Sequence, residues 1–219
     1  MPEVDLMKSY PKTDRSQLIG VRSQVSEEDR AKAQEFGKDY FDGPRHLGLG
    51  GYEYNSKYFK PVVRDMIQFY DLKNNSTILD VGCGKGFMMK DFMEALPNSQ
   101  VYGLDISRYC FENSLPEVKN NFLLGSCDSL PYLDNSFDLV VSIATIHNLD
   151  LDGVKKSLRE ISRVSRGNAY IKVNGYKNEE EKQKLFRWNL VAKTILHVND
   201  WKEIFKEVGY SGEYSFFNT

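Results

Sequence analysis

Residues 78–87 read Ile-Leu-Asp-Val-Gly-Cys-Gly-Lys-Gly-Phe, and this stretch decides the fold. An apolar strand runs into glycines at positions 82, 84 and 86, and an amphipathic helix is predicted to follow them. Because glycine has no side chain, a ligand can lie against the backbone there, next to a helix N-terminus. The pattern therefore predicts a binding loop at the carboxyl edge of a parallel sheet.

Two acidic residues accompany this loop. Asp80 precedes the glycines, and Asp105 closes the next apolar segment, 100–105. Gly84 and Asp105 are 21 residues apart, which leaves room for one crossover helix and one strand. The second carboxylate is thereby brought to the same sheet edge, where it can accept hydrogen bonds from a ribose diol. These residues predict a nucleoside-like cofactor.

The spacing of the glycines narrows the kind of nucleoside. A dinucleotide-binding fingerprint reads G-x-G-x-x-G, whereas this loop reads G-x-G-x-G. The carboxylate of Asp80 would repel a pyrophosphate, but it suits a cationic ammonium group. A nicotinamide-dependent oxidoreductase is therefore disfavoured.

At these residues the chain resembles the class I S-adenosylmethionine-dependent methyltransferases. Their first motif is similar to residues 79–86 and their second to residues 103–107. The resemblance covers about residues 57–175 and includes the third strand and adenine loop (121–138), the fourth strand (139–145) and a helix, turn and fifth strand (158–173). The fourth-strand segment lacks the Asn/Asp-Pro-Pro-Tyr/Phe sequence of enzymes that methylate exocyclic base nitrogens or glutamine amides, which argues against a DNA adenine target.

The alternation of apolar segments and the resemblance imply an α/β fold with a doubly wound, mainly parallel sheet and helices on both faces, the Rossmann-like methyltransferase fold. Residues 1–56 are expected to form an N-terminal arm, a helix and a Gly-rich substrate or lid loop. Residues 57–219 would form the S-adenosylmethionine-binding domain. Strands are predicted near 77–81, 100–105, 121–125, 138–144, 169–173 and 214–217, and helices near 26–40, 56–71, 85–96, 107–112, 151–165, 179–196 and 199–208.

Two expectations concern the ends of the chain. The polar, aperiodic residues 1–25 suggest a loosely held arm. The family usually finishes with a sixth strand and an antiparallel seventh, yet only one strand is predicted after Val208. The last sheet edge is therefore expected to be shortened or completed differently.

The resemblance implies that S-adenosyl-L-methionine is the cofactor and that no metal is needed. In this family an acid usually binds the adenine amino group, but its position holds Ser126 here, and Asp128 lies two residues later. The adenine contact is thus left open among Ser126, Cys127 and Asp128. The full set of predicted cofactor-binding residues is Asp80, Gly82, Cys83, Gly84, Gly86, Asp105, Ile106, Ser126, Cys127, Asp128 and Ser142.

Methyl transfer from a sulfonium is an in-line displacement, so the protein must align the acceptor and exclude water. A base helps only where the acceptor loses a proton. His147 lies just after the fourth strand, at the sheet edge that faces the cofactor, and is the predicted catalytic base. The alternative is a loop histidine that packs against the helix beginning near Leu151.

In this fold family, acceptor pockets are typically built by N-terminal elements and by the segment after the fifth strand. Those regions here are 45–54 and 176–201. The glycines at 48–51 would form a lid hinge over bound cofactor. The predicted acceptor-binding residues are His46, Tyr52, Tyr54, Arg187 and Trp188, with Tyr176, His197 and Trp201 as further candidates. Core packing or a solvated helix face is the alternative for each, although Arg187 could pair with a carboxylate or phosphate.

The composition of the chain limits the classes of partner that are expected. The chain has 219 residues, 29 basic and 31 acidic, for a net charge of −2, which argues against nucleic-acid binding by bulk electrostatics. Three widely separated cysteines argue against a disulfide framework or zinc site and fit a reducing cytoplasm. No apolar run reaches the ~18 residues of a membrane span, and no signal peptide is recognised. We expect a cytoplasmic protein with a small-molecule acceptor, no nucleic-acid or membrane partner, and no indication of a homodimer.

The sequence therefore predicts a methyltransferase acting on an oxygen or nitrogen of a small molecule. The patterns at 40–43 and 188–190 resemble those of bacterial methyltransferases linked to sugars or other specialised metabolites. Transfer to a protein or RNA, and a non-catalytic cofactor-binding partner subunit, stay open as alternatives.

Overall fold

The computed structural model describes residues 2–12, 20, 22 and 24–217. In this part of the chain, strands and helices alternate from residue 77 onward, except between the third and fourth strands, as the apolar periodicity predicts. The elements are α1 (Glu27–Gln34), α2 (Lys38–Phe41), α3 (Ser56–Phe69), β1 (Thr77–Val81), α4 (Phe87–Ala95), β2 (Gln100–Asp105), α5 (Arg108–Glu112), β3 (Phe122–Leu124), β4 (Leu139–Ile143), α6 (Leu151–Val164), β5 (Ala169–Tyr176), α7 (Glu179–Trp188), β6 (Leu196–His197), α8 (Val198–Val208) and β7 (Glu213–Phe217), with 3-10 turns at Pro116–Asn121 and Ile146–Asn148.

The sheet has seven strands in the order β3-β2-β1-β4-β5-β6, and β7 also pairs with β5. Every pairing between these strands is parallel. One core lies under α6 and α8, around Leu158 and Trp201, and the other lies under α3 and α4, around Met66 and Phe92. The central strands are covered on both faces, which explains why they read as continuous apolar runs. The predicted doubly wound fold is confirmed.

The outer edge of the sheet is completed differently, as expected. β7 runs parallel to β5, from the pair Tyr170 and Glu213 to the pair Asn174 and Phe217. The N-terminal segment then lies along β7, where the Val4 N–H donates to the Tyr214 carbonyl at 2.9 Å.

The prediction of a loosely held arm is wrong for residues 2–12. Leu6 and Met7 are only 4% and 7% exposed, and they belong to the core under α3 and α4. A polar, aperiodic segment can therefore still be fixed by two apolar side chains. The rest of the predicted arm, at positions 1, 13–19, 21 and 23, lies outside the described residues.

The predicted helix 179–196 is too long, because α7 ends at Trp188. The Asn189 side chain accepts from the N–H groups of Val191 (2.9 Å) and Ala192 (2.6 Å), and this local alternative to helical bonding stops the helix. The predicted helix 26–40 is also broken, since Phe36 has a φ of 51° between α1 and α2. Ser26 caps the N-terminus of α1, because its Oγ accepts from the Asp29 N–H at 3.1 Å.

Among the described residues, no helix combines the length and apolar character that crossing a bilayer requires.

Candidate functional site

The glycine loop between β1 and α4 has the geometry that its sequence predicts. Gly82, Gly84 and Gly86 all have positive φ, at 84°, 55° and 82°. A Cβ on Gly82 would lie 2.0 Å from Thr145 Oγ1, and one on Gly86 would lie 2.4 Å from Val118 Cγ2. Larger residues at these positions would therefore be strained in backbone and crowded in space.

Asp105 clamps this loop to the end of β2. Its carboxylate accepts from the N–H groups of Gly84 and Ser107, each at 2.8 Å. Burial raises the pKa of Asp105, and the backbone hydrogen bonds act in the opposite direction. The predicted approach of Gly84 and Asp105 at one sheet edge is confirmed.

Asp80 is the unusual charge of the site. The side chain is 4% exposed, and its carboxylate has no hydrogen-bond donor among the described residues. Burial raises the pKa of Asp80 to about 8, and the nearby Asp105 adds to the shift. A buried carboxylate without a partner costs free energy, and a cation bound beside it would offset that cost. The residues present therefore fit a nucleoside that carries an ammonium or sulfonium group.

A cap formed by residues 38–54 covers the loop. A Cβ on Gly84 would lie 2.9 Å from the Tyr52 ring, so that ring lies on the bare backbone where a ligand was predicted. The Lys85 ammonium, from within the glycine loop, donates to Asp42 at 2.6 Å and to the Tyr52 carbonyl at 2.9 Å. The Tyr109 hydroxyl donates to Asp42 at 2.6 Å.

We call Asp42, Lys85 and Tyr109 the latch. Burial raises the pKa of Asp42, but hydrogen bonds from Lys85 and Tyr109 outweigh it, so the net shift is downward. The latch was not predicted from the sequence. A lysine between two glycines was its one local signal, and its partner Asp42 is far away along the chain.

Of the predicted adenine contacts, Ser126 and Asp128 lie together. Ser126 Oγ donates to Asp128 Oδ1 at 2.5 Å. Ile106 follows Asp105 and is 59% exposed, so it offers an apolar surface beside the acid. Cys127 differs, because its side chain is buried and its sulfur accepts from Ser157 Oγ at 3.4 Å on α6. Burial raises the pKa of Cys127 to about 11.

Two further predicted cofactor residues direct their side chains into the protein. The Cys83 thiol is buried, and a Cβ on Gly103 would lie 2.7 Å from its sulfur, so it packs on β2. Ser142 is 1% exposed, and its hydroxyl donates to the Val81 carbonyl at 3.1 Å, which ties β4 to β1. Only the backbone of these residues is left to face a ligand.

His147 is 3% exposed and engaged at both ring nitrogens. Nδ1 accepts from the Asn174 N–H at 3.3 Å, and the Asn174 side-chain amide lies 3.2 Å from Nε2. Burial lowers the pKa of His147 to about 3, so the ring is neutral at physiological pH. This geometry does not present His147 to an acceptor and favours the packing alternative over the predicted base.

The predicted acceptor-binding residues are dispersed. Tyr52 lies over the loop, while the Tyr54 hydroxyl donates to Asp91 on α4 at 2.6 Å. Trp188 stacks under the Arg22 guanidinium, 5.4 Å from the ring centroid. Arg187 is exposed on α7, and His46 is half-buried in the cap.

The further candidates have structural contacts. Trp201 is fully buried and donates through Nε1 to the Asn174 carbonyl at 2.8 Å. His197 caps α8 by accepting from the Asn199 N–H at 3.1 Å, and the Tyr176 ring packs edge-on against it.

The predicted flank 176–201 contacts residues that precede the other predicted flank, 45–54. Arg22 donates to the Trp188 carbonyl at 3.2 Å, and Arg30 donates to the Asn189 carbonyl at 2.9 Å. Ala33, Leu190 and Val191 form a small apolar cluster between them. The N-terminal helix α1 and the segment after α7 thus form one continuous wall.

Comparisons with known proteins identify relatives of the part of the chain that carries this site. Residues 79–173 match a family model described as a methyltransferase domain. The uncharacterized protein MJ1252 of Methanocaldococcus jannaschii is 31% identical over 111 residues, which cover 51% of this chain and 41% of that protein. The uncharacterized methyltransferase C1B3.06c of Schizosaccharomyces pombe is 33% identical over 112 residues, which cover 46% of this chain and 40% of that protein. This chain spans less than half the length of these two relatives.

The fold is also shared with a solved structure. The YcgJ protein of Bacillus subtilis aligns with a TM-score of 0.54 at 24% identity, over 67% of this chain and 66% of that one. The residues matched by the family model run from β1 to β5 and include the glycine loop, Asp80 and Asp105. Residues 79–173 therefore form a methyltransferase domain.

Proposed function

We propose that this chain is an enzyme that transfers the methyl group of S-adenosylmethionine to an oxygen or nitrogen of a small molecule. The observation that carries the proposal is the Asp80 carboxylate, buried beside the glycine loop without a donor of its own. Asp105 supplies a second acid at the same edge. Together they suit a cationic nucleoside better than a pyrophosphate-bearing one.

When bound, the cofactor would supply an electrophilic methyl group. The chain's own part is to hold and enclose it. With the Tyr52 ring displaced from Gly84, the main chain at Gly82 and Gly84 would lie along the aminoacyl side, Asp80 would face the positive charge, and Asp105, with Ile106, would face the ribose and adenine. The cap would exclude water from the site, since Tyr52 already covers the loop.

A small acceptor is supported by the enclosure of the site. The cap lies over the loop, and α1 packs against the segment after α7. Curated relatives include proteins named as malonyl-[acyl-carrier protein] O-methyltransferase, tRNA (carboxymethyluridine(34)-5-O)-methyltransferase and ribosomal protein L11 methyltransferase. Those names leave the acceptor class open, and the near-neutral charge weighs against RNA.

The proposed reaction does not use His147 as a base, because Asn174 occupies its ring nitrogens. An acceptor that already exposes a lone pair, such as a neutral amine or a carboxylate, needs no deprotonation in the transition state. Alignment alone can lower the barrier by about 7–11 kcal/mol for such an acceptor.

The test is calorimetric titration with S-adenosylmethionine, S-adenosylhomocysteine and NAD, followed by a screen of a metabolite extract for transfer of isotopic methyl. We expect both sulfur nucleosides to bind and NAD not to bind. Tight binding of NAD, or no binding of either sulfur nucleoside, would contradict the cofactor assignment. Binding without methyl transfer to any metabolite, protein or RNA would favour a non-catalytic partner subunit.

A further inference from the structure

A groove of about 190 Å³ lies where α1 meets the end of α7 and the segment that follows it. We call it the α1–α7 groove. Its walls include the side chains of Arg30, Phe186, Asn189, Leu190, Lys193 and Ile195. It lies outside the cofactor site described above, and no role has yet been given to Arg30 or Lys193.

The groove is positively charged. Arg30 and Lys193 both line it, and no acidic residue does so. Neither cation forms an ion pair among the described residues, although many other lysines and arginines there do so. The Arg30 guanidinium is held in place because one of its nitrogens donates to the Asn189 carbonyl at 2.9 Å. A guanidinium held in this way can still present its other N–H groups to an oxyanion.

The groove is also apolar. Phe186 is 51% exposed there, whereas Leu190 is 4% exposed and Ile195 is half-buried. An exposed phenylalanine beside two unpaired cations suits a molecule with an apolar body and an anionic head.

The groove is connected to the cofactor edge of the sheet on both sides. The N–H groups of Lys193 and Thr194 donate to the His147 carbonyl at 3.1 and 3.0 Å, and Thr145 in the same turn packs against Gly82. On the other side, the turn that follows α1 contains Phe36, whose carbonyl accepts from Ser107 Oγ at 2.6 Å, next to Asp105. The two segments that form the groove are therefore hydrogen-bonded to residues at the cofactor edge of the sheet.

We propose that the α1–α7 groove binds the methyl acceptor and selects one that carries an oxyanion, a carboxylate or a phosphate, on a short apolar body. The proposal rests on the methyltransferase function proposed above. Arg30 would bind the oxyanion through its planar fork, Lys193 would add charge at the rim, and Phe186 would pack on the apolar body. This also gives the buried, neutral His147 a role: its carbonyl fixes the wall that carries Lys193.

The test uses octanoate and octyl phosphate as probes, with octanol and octylamine as uncharged and cationic counterparts. Ligand-observed NMR titration of the full chain, with and without S-adenosylhomocysteine, gives the dissociation constants. We expect the two anions to bind at least 10-fold more tightly than octanol and octylamine. The ratio of octanoate to octyl phosphate then tells which oxyanion the groove prefers.

Variants locate the binding. Arg30→Gln and Lys193→Gln should each weaken octanoate binding at least 5-fold, whereas Lys32→Gln, on the same helix as Arg30 and 45% exposed, should leave it unchanged. Arg30→Lys keeps the charge without the fork and should give an intermediate loss. Because Lys193 is exposed and has no side-chain partner among the described residues, Lys193→Gln tests the groove even if Arg30→Gln fails to fold.

Equal affinity for octanoate and octylamine, or octanoate binding that neither variant weakens, would overturn the proposal. The nucleoside titration separates it from the proposed function. The chain could bind octanoate through Arg30 and yet fail to bind S-adenosylhomocysteine. That result would contradict the cofactor assignment but would support the groove as an anion-binding site. Normal nucleoside binding without selection for anions would defeat the groove alone.

Discussion

At the scale of single residues, the cofactor site depends on the Asp80 carboxyl group, which receives no hydrogen bond from the described residues. Asp105 has two backbone donors, whereas Asp80 has none among the described residues. The two acids therefore differ in role. Asp105 holds the glycine loop through its two hydrogen bonds, whereas Asp80 is available to pair with a bound cation. This difference leads to opposite expectations for binding and for stability when Asp80 is neutralised.

Asp80→Asn should weaken S-adenosylmethionine binding at least 30-fold, because removing one member of a desolvated charge pair costs about 2 kcal/mol or more. Calorimetric titration measures the change. Asp71→Asn, at a side chain that is 83% exposed, is the matched control and should bind as wild type does. An Asp80→Asn protein with wild-type affinity would show that this carboxylate does not face the cofactor.

The same substitution should stabilise the unliganded chain at alkaline pH. The folded pKa of Asp80 is raised to about 8, so the unfolded chain loses this proton first, near pH 4. The free energy of unfolding of the wild type therefore decreases as the pH rises between those two values. Asp80→Asn has no such decrease, because asparagine does not titrate. Urea unfolding at pH 5 and pH 8 should show the variant gaining on the wild type at the higher pH; a constant difference would contradict the raised pKa.

His147 changes the stability with pH in the direction opposite to that of Asp80. Its folded pKa is lowered to about 3 by burial, while the unfolded chain takes up this proton near pH 6.5. The wild type therefore loses stability as the pH falls through that window. Relative to His147→Gln, the wild type should lose about 1.4 kcal/mol per pH unit between pH 6 and pH 4.

Urea unfolding at several pH values measures that difference. We further expect His147→Gln to keep most of its turnover per folded molecule, since its ring nitrogens contact Asn174 rather than an acceptor. A loss of turnover of 100-fold or more in a stable variant would restore His147 as the base.

Residue identities near the site were predictable, but side-chain directions were not. The glycines and the two acids follow from their spacing along strands whose ends share one edge. Cys127 and Ser142 were assigned to the cofactor, yet they point toward Ser157 and Val81. Which way a side chain points depends on the register and pleat of the strand beside it, and one-residue differences reverse the direction.

At the scale of elements, the latch is what couples the cap to the glycine loop. The Lys85 and Asp42 side chains are 10% and 23% exposed, so their ion pair is better shielded than most in this chain. Gly50 and Gly51, with φ of 72° and 106°, provide the backbone freedom predicted for a hinge. Releasing the latch should therefore free the cap without unfolding the sheet.

Asp42→Asn should increase protease cleavage within residues 42–54 about 5- to 30-fold, the change that a loss of 1–2 kcal/mol makes in a local opening equilibrium. Limited proteolysis followed by mass spectrometry locates and times the cleavage. Asp39→Asn, on exposed α2 and outside the latch, is the control. Cleavage at the wild-type rate in Asp42→Asn would show that the latch does not hold the cap.

The boundaries of β1, α4 and β2 were predictable within about two residues, because glycine and apolar periodicity mark them locally. The latch and the end of α7 were not. The latch joins residues far apart in sequence, and α7 ends at Trp188 because the side chain of the next residue, Asn189, bonds to the backbone in place of the helix. Such contacts depend on tertiary structure or on local hydrogen bonding that a periodicity pattern does not contain.

At the scale of the whole molecule, the two ends of the chain meet at one sheet edge. Residues 2–4 lie along β7, Asp5 pairs with the buried Lys172 of β5 at 2.9 Å, and Ser9 donates to Asp65 of α3 at 2.6 Å. The N-terminal segment therefore covers part of the free edge of β7. No local pattern could predict it, since β7 and this segment are apart by nearly the full length of the chain.

If the segment is part of the core, then Leu6→Ala should lower the free energy of unfolding by about 2–4 kcal/mol, as expected for a buried leucine that is 4% exposed. Urea unfolding with tryptophan fluorescence measures this, because Trp201 lies in the opposite core and reports on the whole sheet. Glu3→Ala, which removes an exposed partner of Lys202, should cost less than 1 kcal/mol. If Leu6→Ala destabilises the protein no more than Glu3→Ala does, the segment is a loosely held arm that does not cover the edge of β7.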